Sequence, residues 1–152
     1  MSYDFLIFMH ILSAILLLGV GAGSAFYKFM SDKLGNIEVI VHTNKMVVLA
    51  DWIFITPSAI LQPLTGVLLM NVLNISFWTP WLFIAIVLYI FAGLLWLMAV
   101  YLQIRMRDMA LKAQKNKLFL GEAYFRLVKY WITLGIFSFI SMAGVFVLMV
   151  FK

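Results

Sequence analysis

Two ionisable residues lie inside long apolar stretches, where their side chains could do chemistry. His10 stands within "FLIFMHILSAILLLGVGAG", and Asp51 follows "KMVVLA". An ionisable group in hydrocarbon is costly unless it has a partner, so both residues predict interior contacts. Asp51 needs a cation or a proton, and would serve a structural salt bridge or proton movement. The candidate cations are Lys45, Arg105, Arg126 and Lys129. Three uses stay open for His10: a hydrogen-bonded packing residue, a proton relay, and an axial ligand to haem iron.

Composition limits the chemistry further. Hydrophobic residues make up 66% of the 152 residues and charged residues 11%, a balance typical of membrane proteins. The sequence contains no cysteine, which excludes disulfides, thiolate metal sites and cysteine nucleophiles. The formal net charge is +5, but the positive residues flank apolar stretches, where they set membrane topology. We therefore expect a lipid bilayer as the environment and no nucleic-acid partner.

Three stretches without charge predict the helices that must position these residues. They cover 5–27, 52–104 and 130–151. A bilayer crossing takes about 20 apolar residues, and the middle stretch can cross twice because "NVLNISFWTP" supplies a turn. The sequence predicts an all-α fold, an antiparallel four-helix transmembrane bundle, as a single domain over 1–152. The predicted helices are about 4–30, 43–72, 80–110 and 121–151.

The positions of lysine and arginine predict the orientation of the bundle. They are concentrated in the connections after the first and third helices, and such connections face the cytoplasm. Both termini are then outside, and the expected location is the bacterial cytoplasmic (inner) membrane. The positive residues on these two sides are Lys28, Lys33 and Lys45 around the first connection, and Arg105, Arg107, Lys112, Lys115, Lys117, Arg126 and Lys129 around the other; only Lys152 departs from this pattern.

Polar and small residues recur at helical spacing and predict which faces are turned inward. On the second helix, Asn44, Asp51, Ser58 and Thr65 recur every seven residues, and Gln62 lies close to the same face. We therefore expect a polar interior that includes Asn44, Asp51, Gln62 and Gln103. On the third helix, Tyr89, Gly93 and Trp96 share the inward face with Gln103. The inward face of the fourth helix contains Tyr124, Trp131, Gly135 and Ser138.

Glycines of the first helix are expected to allow close helix packing. Gly19, Gly21 and Gly23 are of the type that such packing needs.

The depth of His10 predicts its neighbours. It should face the stretch from Gln62 to Gly66, with Tyr89 and Met142 at similar depth. Haem needs one strong protein ligand and an apolar slot, which such a bundle can supply. The opposite axial position is left open between three alternatives: it is empty, it is filled by Met142, or it is supplied by a second subunit of a homo-oligomer. His42 lies at the other end of the second helix and cannot join His10 within one chain.

The order of these features resembles the HemJ-type membrane protoporphyrinogen oxidases. The resemblance covers the whole chain and includes His10, "KMVVLADWIFITPSAILQPLTGVLL" and "YFRLVKYW". It implies that His10 ligates haem b and that Lys45 and Arg126 are polar or porphyrin-carboxylate contacts. It also implies a porphyrinogen-like substrate and a quinone as electron acceptor.

Three further segments resemble a bacterial family of uncharacterised predicted integral membrane proteins. They are "LQPLTGVLLM", "YLQIRMRDMA" and "LGIFSFISMAGVFVLMV". Membership in that family implies the four-helix architecture and leaves the chemistry open.

Two functions follow from the sequence. The first is a haem b-binding membrane protein with a redox role, either oxidising a porphyrinogen-like substrate or relaying electrons to quinone. The alternative is a cofactor-free transporter subunit or assembly protein, in which Asp51 and Lys45 form an internal ion pair. An absorption spectrum separates the two.

Overall fold

Four long apolar helical spans make up the computed structural model, which describes residues 2–151. Helix α1 covers Tyr3–Leu34. The second span, Ile37–Leu73, consists of α2 (Ile37–Ala50), a π-helical turn (Asp51–Ile55) and α3 (Thr56–Leu73). Helices α4 (Pro80–Lys115) and α5 (Glu122–Val150) complete the chain. Each span is long and apolar enough to cross a membrane, and residues 2–151 contain no strand. The predicted all-α, four-helix fold is confirmed.

The first connection is much shorter than predicted. It consists of Gly35 and Asn36, whereas the sequence analysis placed it over 31–42. Gly35 ends α1 at a φ of 70°, a left-handed conformation that glycine adopts without strain. The side chain of Asn36 accepts from the backbone N–H of Glu38 at 2.9 Å and so caps α2. The boundaries at 30 and 43 are therefore wrong, because the charged residues here belong to helices.

The last two helices lie close to their predicted limits. The third predicted helix ended near 110, whereas α4 continues to Lys115. The fourth was expected over 121–151, and α5 covers Glu122–Val150.

A π-helical turn interrupts the second span where Asp51 lies. The N–H of Thr56 bonds to the carbonyl of Asp51, five residues back, and the Thr56 hydroxyl donates to the same oxygen at 2.9 Å. Pro57 follows and has no N–H to donate, which weakens the regular helical pattern at this point. Such π-turns occur often at functional sites. The turn therefore marks Asp51 for closer inspection.

The helices differ in how extensively they pack on one another. Helix α1 packs mainly on α3, and α5 packs mainly on α4, while α1 and α5 touch much less. The largest buried apolar cluster lies between α2, α4 and α5 and includes Ile40, Met106 and Tyr124.

Candidate functional site

His10 forms a hydrogen-bonded contact between α1 and α3. Its Nδ1 lies 2.8 Å from Thr65 Oγ1, and its Nε2 lies 3.1 Å from Gln62 Nε2. Since Thr65 donates its hydroxyl proton to the carbonyl of Leu61 at 2.7 Å, it accepts from Nδ1–H. Nε2 then accepts from the Gln62 amide, whose Oε1 accepts from Ser13. One neutral tautomer of His10 satisfies the whole network, and the expected position opposite Gln62 to Gly66 is confirmed.

This arrangement does not fit haem ligation by His10. Iron would need the lone pair on Nε2, which accepts the hydrogen bond from Gln62. The ring also packs closely on α3, because a Cβ built on Gly66 would lie 3.4 Å from His10 Cε1. Lys45 and Arg126, the other residues that the resemblance assigns to haem, are both exposed. Haem b stays a prediction that rests on the resemblance.

A buried ion pair lies near the Gly35–Asn36 connection. Lys28 Nζ lies 2.7 Å from Asp32 Oδ2, one helical turn away on α1. The hydroxyl of Tyr124 on α5 donates to Asp32 Oδ1 at 2.6 Å. The same hydroxyl accepts from Lys28 at 3.2 Å and from Asn44 of α2 at 2.9 Å. This quartet joins α1, α2 and α5, and Lys28 is only 1% exposed.

The ion pair predicted from the sequence is therefore wrong in its partners. Asp51 is buried and forms no ion pair with any of residues 2–151, and Lys45 is exposed. The pair is Lys28–Asp32 instead. Its signal in the sequence is the four-residue spacing of opposite charges on one helix, which brings two side chains to the same face.

A separate cavity of about 420 Å³ lies between the spans. Gly21 of α1, Gly93 of α4 and Gly135 of α5 contribute to its wall. A Cβ built on any of the three would meet no atom of the described chain within 4 Å. These glycines leave room rather than allow close packing, and the same open surroundings are found at Gly19 and Gly23. The packing expectation for the glycines of α1 is wrong.

Some polar side chains of the cavity wall have partners of their own. The Tyr89 hydroxyl donates to the carbonyl of Ala59 at 2.7 Å, and the Ser138 hydroxyl donates to that of Ala92 at 3.0 Å. Ser24 donates to a carbonyl of its own helix at 3.2 Å. Because these hydroxyl protons are already donated, such groups can only accept a hydrogen bond from a ligand.

Three other polar side chains of the wall have unused hydrogen-bonding atoms, and we call them the polar cluster: Asp51, Trp96 and Gln103. The indole of Trp96 and the amide of Gln103 neighbour the Asp51 carboxyl. Within residues 2–151, however, Asp51 Oδ2, Trp96 Nε1 and Gln103 Oε1 find no partner in hydrogen-bond geometry. Asp51 is 3% exposed and Gln103 is 6% exposed. Buried polar atoms are nearly always paired in native proteins, so this group is unusual.

The rim of the cavity opens between α1 and α5. Ala22 and Phe29 of α1 line the cavity and are exposed on the outer surface of the bundle. Ile136, Phe139 and Ile140 of α5 do the same. The opening is thus apolar and is bordered by these two helices.

The comparison with protein families decides the class of this chain. The family described as predicted integral membrane protein (DUF2269) matches residues 4–152. The chain belongs to the DUF2269 family. Neither a curated protein nor a solved structure matches it.

As a DUF2269 protein, the chain is a multi-pass integral membrane protein with four apolar helices. The resemblance to an uncharacterised membrane family is confirmed, and the resemblance to HemJ-type oxidases stays a prediction. In this DUF2269 member, the structure brings Asp51, Gln103 and Met142 to the cavity wall and places His10 in the α1–α3 contact. Asn44 belongs to the buried quartet and Gln62 to the His10 network.

One residue of the polar cluster was not singled out from the sequence as a site residue. Trp96 was placed on the inward face of the third helix, together with Gln103, by helical spacing alone. Tryptophan in membrane proteins usually lies at the interface with water, where its N–H finds a partner. A tryptophan in the middle of an apolar stretch is the signal that could have pointed to this site.

Proposed function

We propose that this protein binds a small lipid-soluble molecule in the cavity between its helices, with the polar end of that molecule held by the polar cluster. The observation that carries the proposal is the set of three partnerless buried atoms on Asp51, Trp96 and Gln103 beside one apolar cavity. An unmade hydrogen bond of a buried group costs about 1–3 kcal/mol. A ligand that supplies the missing partners recovers this free energy. The cavity volume lies within the range typical of small-molecule sites.

The bilayer is the proposed source of this molecule. The rim residues of α1 and α5 are apolar and face the surrounding lipid, so a lipid-soluble molecule can enter sideways without crossing water. Unused hydrogen-bonding atoms lie at the Asp51 end, whereas Tyr89 and Ser138 already donate to backbone carbonyls. The polar end of the ligand therefore points towards Asp51, and its apolar part lies along Gly93 and the rim.

Quinones have the chemical form that this cavity suits, namely a polar ring with an apolar tail. A quinone is also one of the partners that the sequence analysis considers, so a redox role coupled to quinone is compatible with the proposal. For haem b and a porphyrin, the support is the resemblance alone. The cavity wall includes Met142, but the described arrangement of His10 leaves no nitrogen lone pair for iron.

Filling the cavity tests this function. In Gly93→Leu, a bulky side chain enters the cavity from a position with open space, and leucine is also a better helix former than glycine. We expect the variant to fold and to lose binding of a decyl-substituted hydroquinone, measured by native mass spectrometry of the purified protein in detergent.

Gly19→Leu is the matched control, because Gly19 also has open space but lies outside the cavity wall, on an exposed face of α1. It should bind the hydroquinone like the wild-type protein. Equal binding by Gly93→Leu and the wild-type protein would contradict the proposal.

We also propose that the protein resides in a bacterial cytoplasmic membrane with both termini outside. The distribution of lysine and arginine supports this orientation, because Lys33 and Lys45 flank the Gly35–Asn36 connection and Lys115 and Arg126 flank the connection between α4 and α5.

A further inference from the structure

The three atoms of the polar cluster need different partners. Trp96 Nε1–H can only donate a hydrogen bond, whereas Gln103 Oε1 can only accept one. Asp51 depends on its protonation, since a carboxylate only accepts and a neutral acid also donates its O–H. The protonation of Asp51 therefore determines which chemical group complements the cluster.

Among residues 2–151, no basic side chain forms an ion pair with Asp51. The ion pairs formed within residues 2–151 join Lys28 to Asp32 and Arg107 to Asp108. The basic residue nearest to Asp51 in the sequence, Lys45, is exposed. A lone carboxylate in an apolar cavity inside a membrane is strongly disfavoured. The cluster is thus best described with Asp51 as the neutral acid.

Resting on the proposed function, we infer that the polar end of the bound molecule is a hydroxyl group. One hydroxyl oxygen accepts two hydrogen bonds and donates one. It can accept from Trp96 Nε1–H and from the Asp51 acid proton, and it can donate to Gln103 Oε1. All three partnerless atoms are then satisfied by a single group.

Other head groups leave one of these atoms unpaired. An ammonium group only donates, so Trp96 Nε1–H would stay without an acceptor and would point its positive end at a cation. A carbonyl oxygen only accepts, so Gln103 Oε1 would stay without a donor. The cluster therefore selects a lipid-soluble alcohol or phenol, and the phenolic class includes the reduced form of a quinone.

Four apolar probes of different head group test this inference: dodecanol, octylphenol, dodecylamine and dodecane. Each is added at equal concentration to the purified full-length protein in detergent, and the bound fraction is measured by native mass spectrometry. The bound fraction of each probe in Gly93→Leu measures the background, which is the probe that associates outside the cavity. We expect dodecanol or octylphenol to bind about tenfold more tightly than dodecylamine and dodecane, the effect of one buried polar group left unpaired. The better of the two hydroxyl probes identifies the aliphatic or the phenolic class.

A variant of the donor in the cluster provides a second measurement. Trp96→Phe removes the N–H and keeps an aromatic ring, so the preference for the hydroxyl probe over dodecane should fall about tenfold. Dodecane should bind as it does to the wild-type protein. Trp78→Phe is the control, because Trp78 is 81% exposed and lies outside the cavity wall. An unchanged preference in Trp96→Phe would overturn the inference.

The remaining outcomes separate the inference from the proposed function. If all four probes bind equally and Gly93→Leu abolishes their binding, the cavity binds ligands but the hydroxyl inference is wrong. Preferential binding of dodecylamine would overturn the inference by showing a charged Asp51. If no probe binds the wild-type protein above the Gly93→Leu background, the proposed function fails together with the inference.

Discussion

Lys28 Nζ and Asp32 Oδ2 lie 2.7 Å apart in the interior of the bundle, with the Lys28 side chain 1% and the Asp32 side chain 6% exposed. The pair is held by more than its charges. Tyr124 donates to the second carboxylate oxygen at 2.6 Å, and the rings of Tyr124 and Trp131 each lie 5.4 Å from the ammonium nitrogen. Breaking such a pair leaves an uncompensated charge in a place without water.

Asp32→Asn should therefore destabilise the protein markedly, by about 3–5 kcal/mol, because the buried Lys28 loses its counter-charge. The measurement is thermal unfolding of the purified protein in detergent. The double variant Lys28→Met with Asp32→Asn should recover much of the loss, since no buried charge remains. Lys33→Met is the control for loss of a lysine on the same helix, because Lys33 is exposed and should have little effect. A double variant less stable than Asp32→Asn would contradict this account of the pair.

His10→Ala should lower thermal stability, because Thr65 and Gln62 both lose a hydrogen-bond partner. The expected loss is about 1–3 kcal/mol. His42→Ala, at an exposed position on α2, is the matched control and should unfold like the wild-type protein.

The absorption spectrum of the same preparations examines haem b directly. A Soret band in the wild-type protein that His10→Ala abolishes would show that iron, rather than Gln62, takes the lone pair of Nε2.

Reporter fusions should establish the orientation of the bundle. An alkaline phosphatase fused after Lys152 should be active, since the enzyme works outside the cytoplasm and the C-terminus is predicted there. The same reporter fused after Asn116, at the end of α4, should be inactive, because that connection carries positive charge and is predicted to be cytoplasmic. The reverse pattern of activities would invert the topology.

The sequence by itself determined the spans and the residues that turn inward. The backbone polar groups of a long apolar stretch need hydrogen bonds inside the bilayer, and a helix provides them within the stretch itself. The four spans therefore follow from local composition. The seven-residue recurrence of Asn44, Asp51, Ser58 and Thr65 identified a face that is buried along its whole length. The contact of His10 with Gln62 and Thr65 also followed, since depth in the membrane restricts which residues can meet.

Only the tertiary structure decided which inward-facing residues meet and where space remains. The spacing of residues along a helix does not set the rotation or the distance of its neighbours, which depend on the packing of all side chains together. Asp51 was therefore expected to need a cation or a proton, with Lys45 as its partner in the cofactor-free alternative. In the structure Lys28 pairs with Asp32, and Asp51 lies beside Trp96 and Gln103. The α1 glycines that suggested close contact stand instead beside open space, because Gly21 lines the cavity and Gly19 lies on an exposed face of α1.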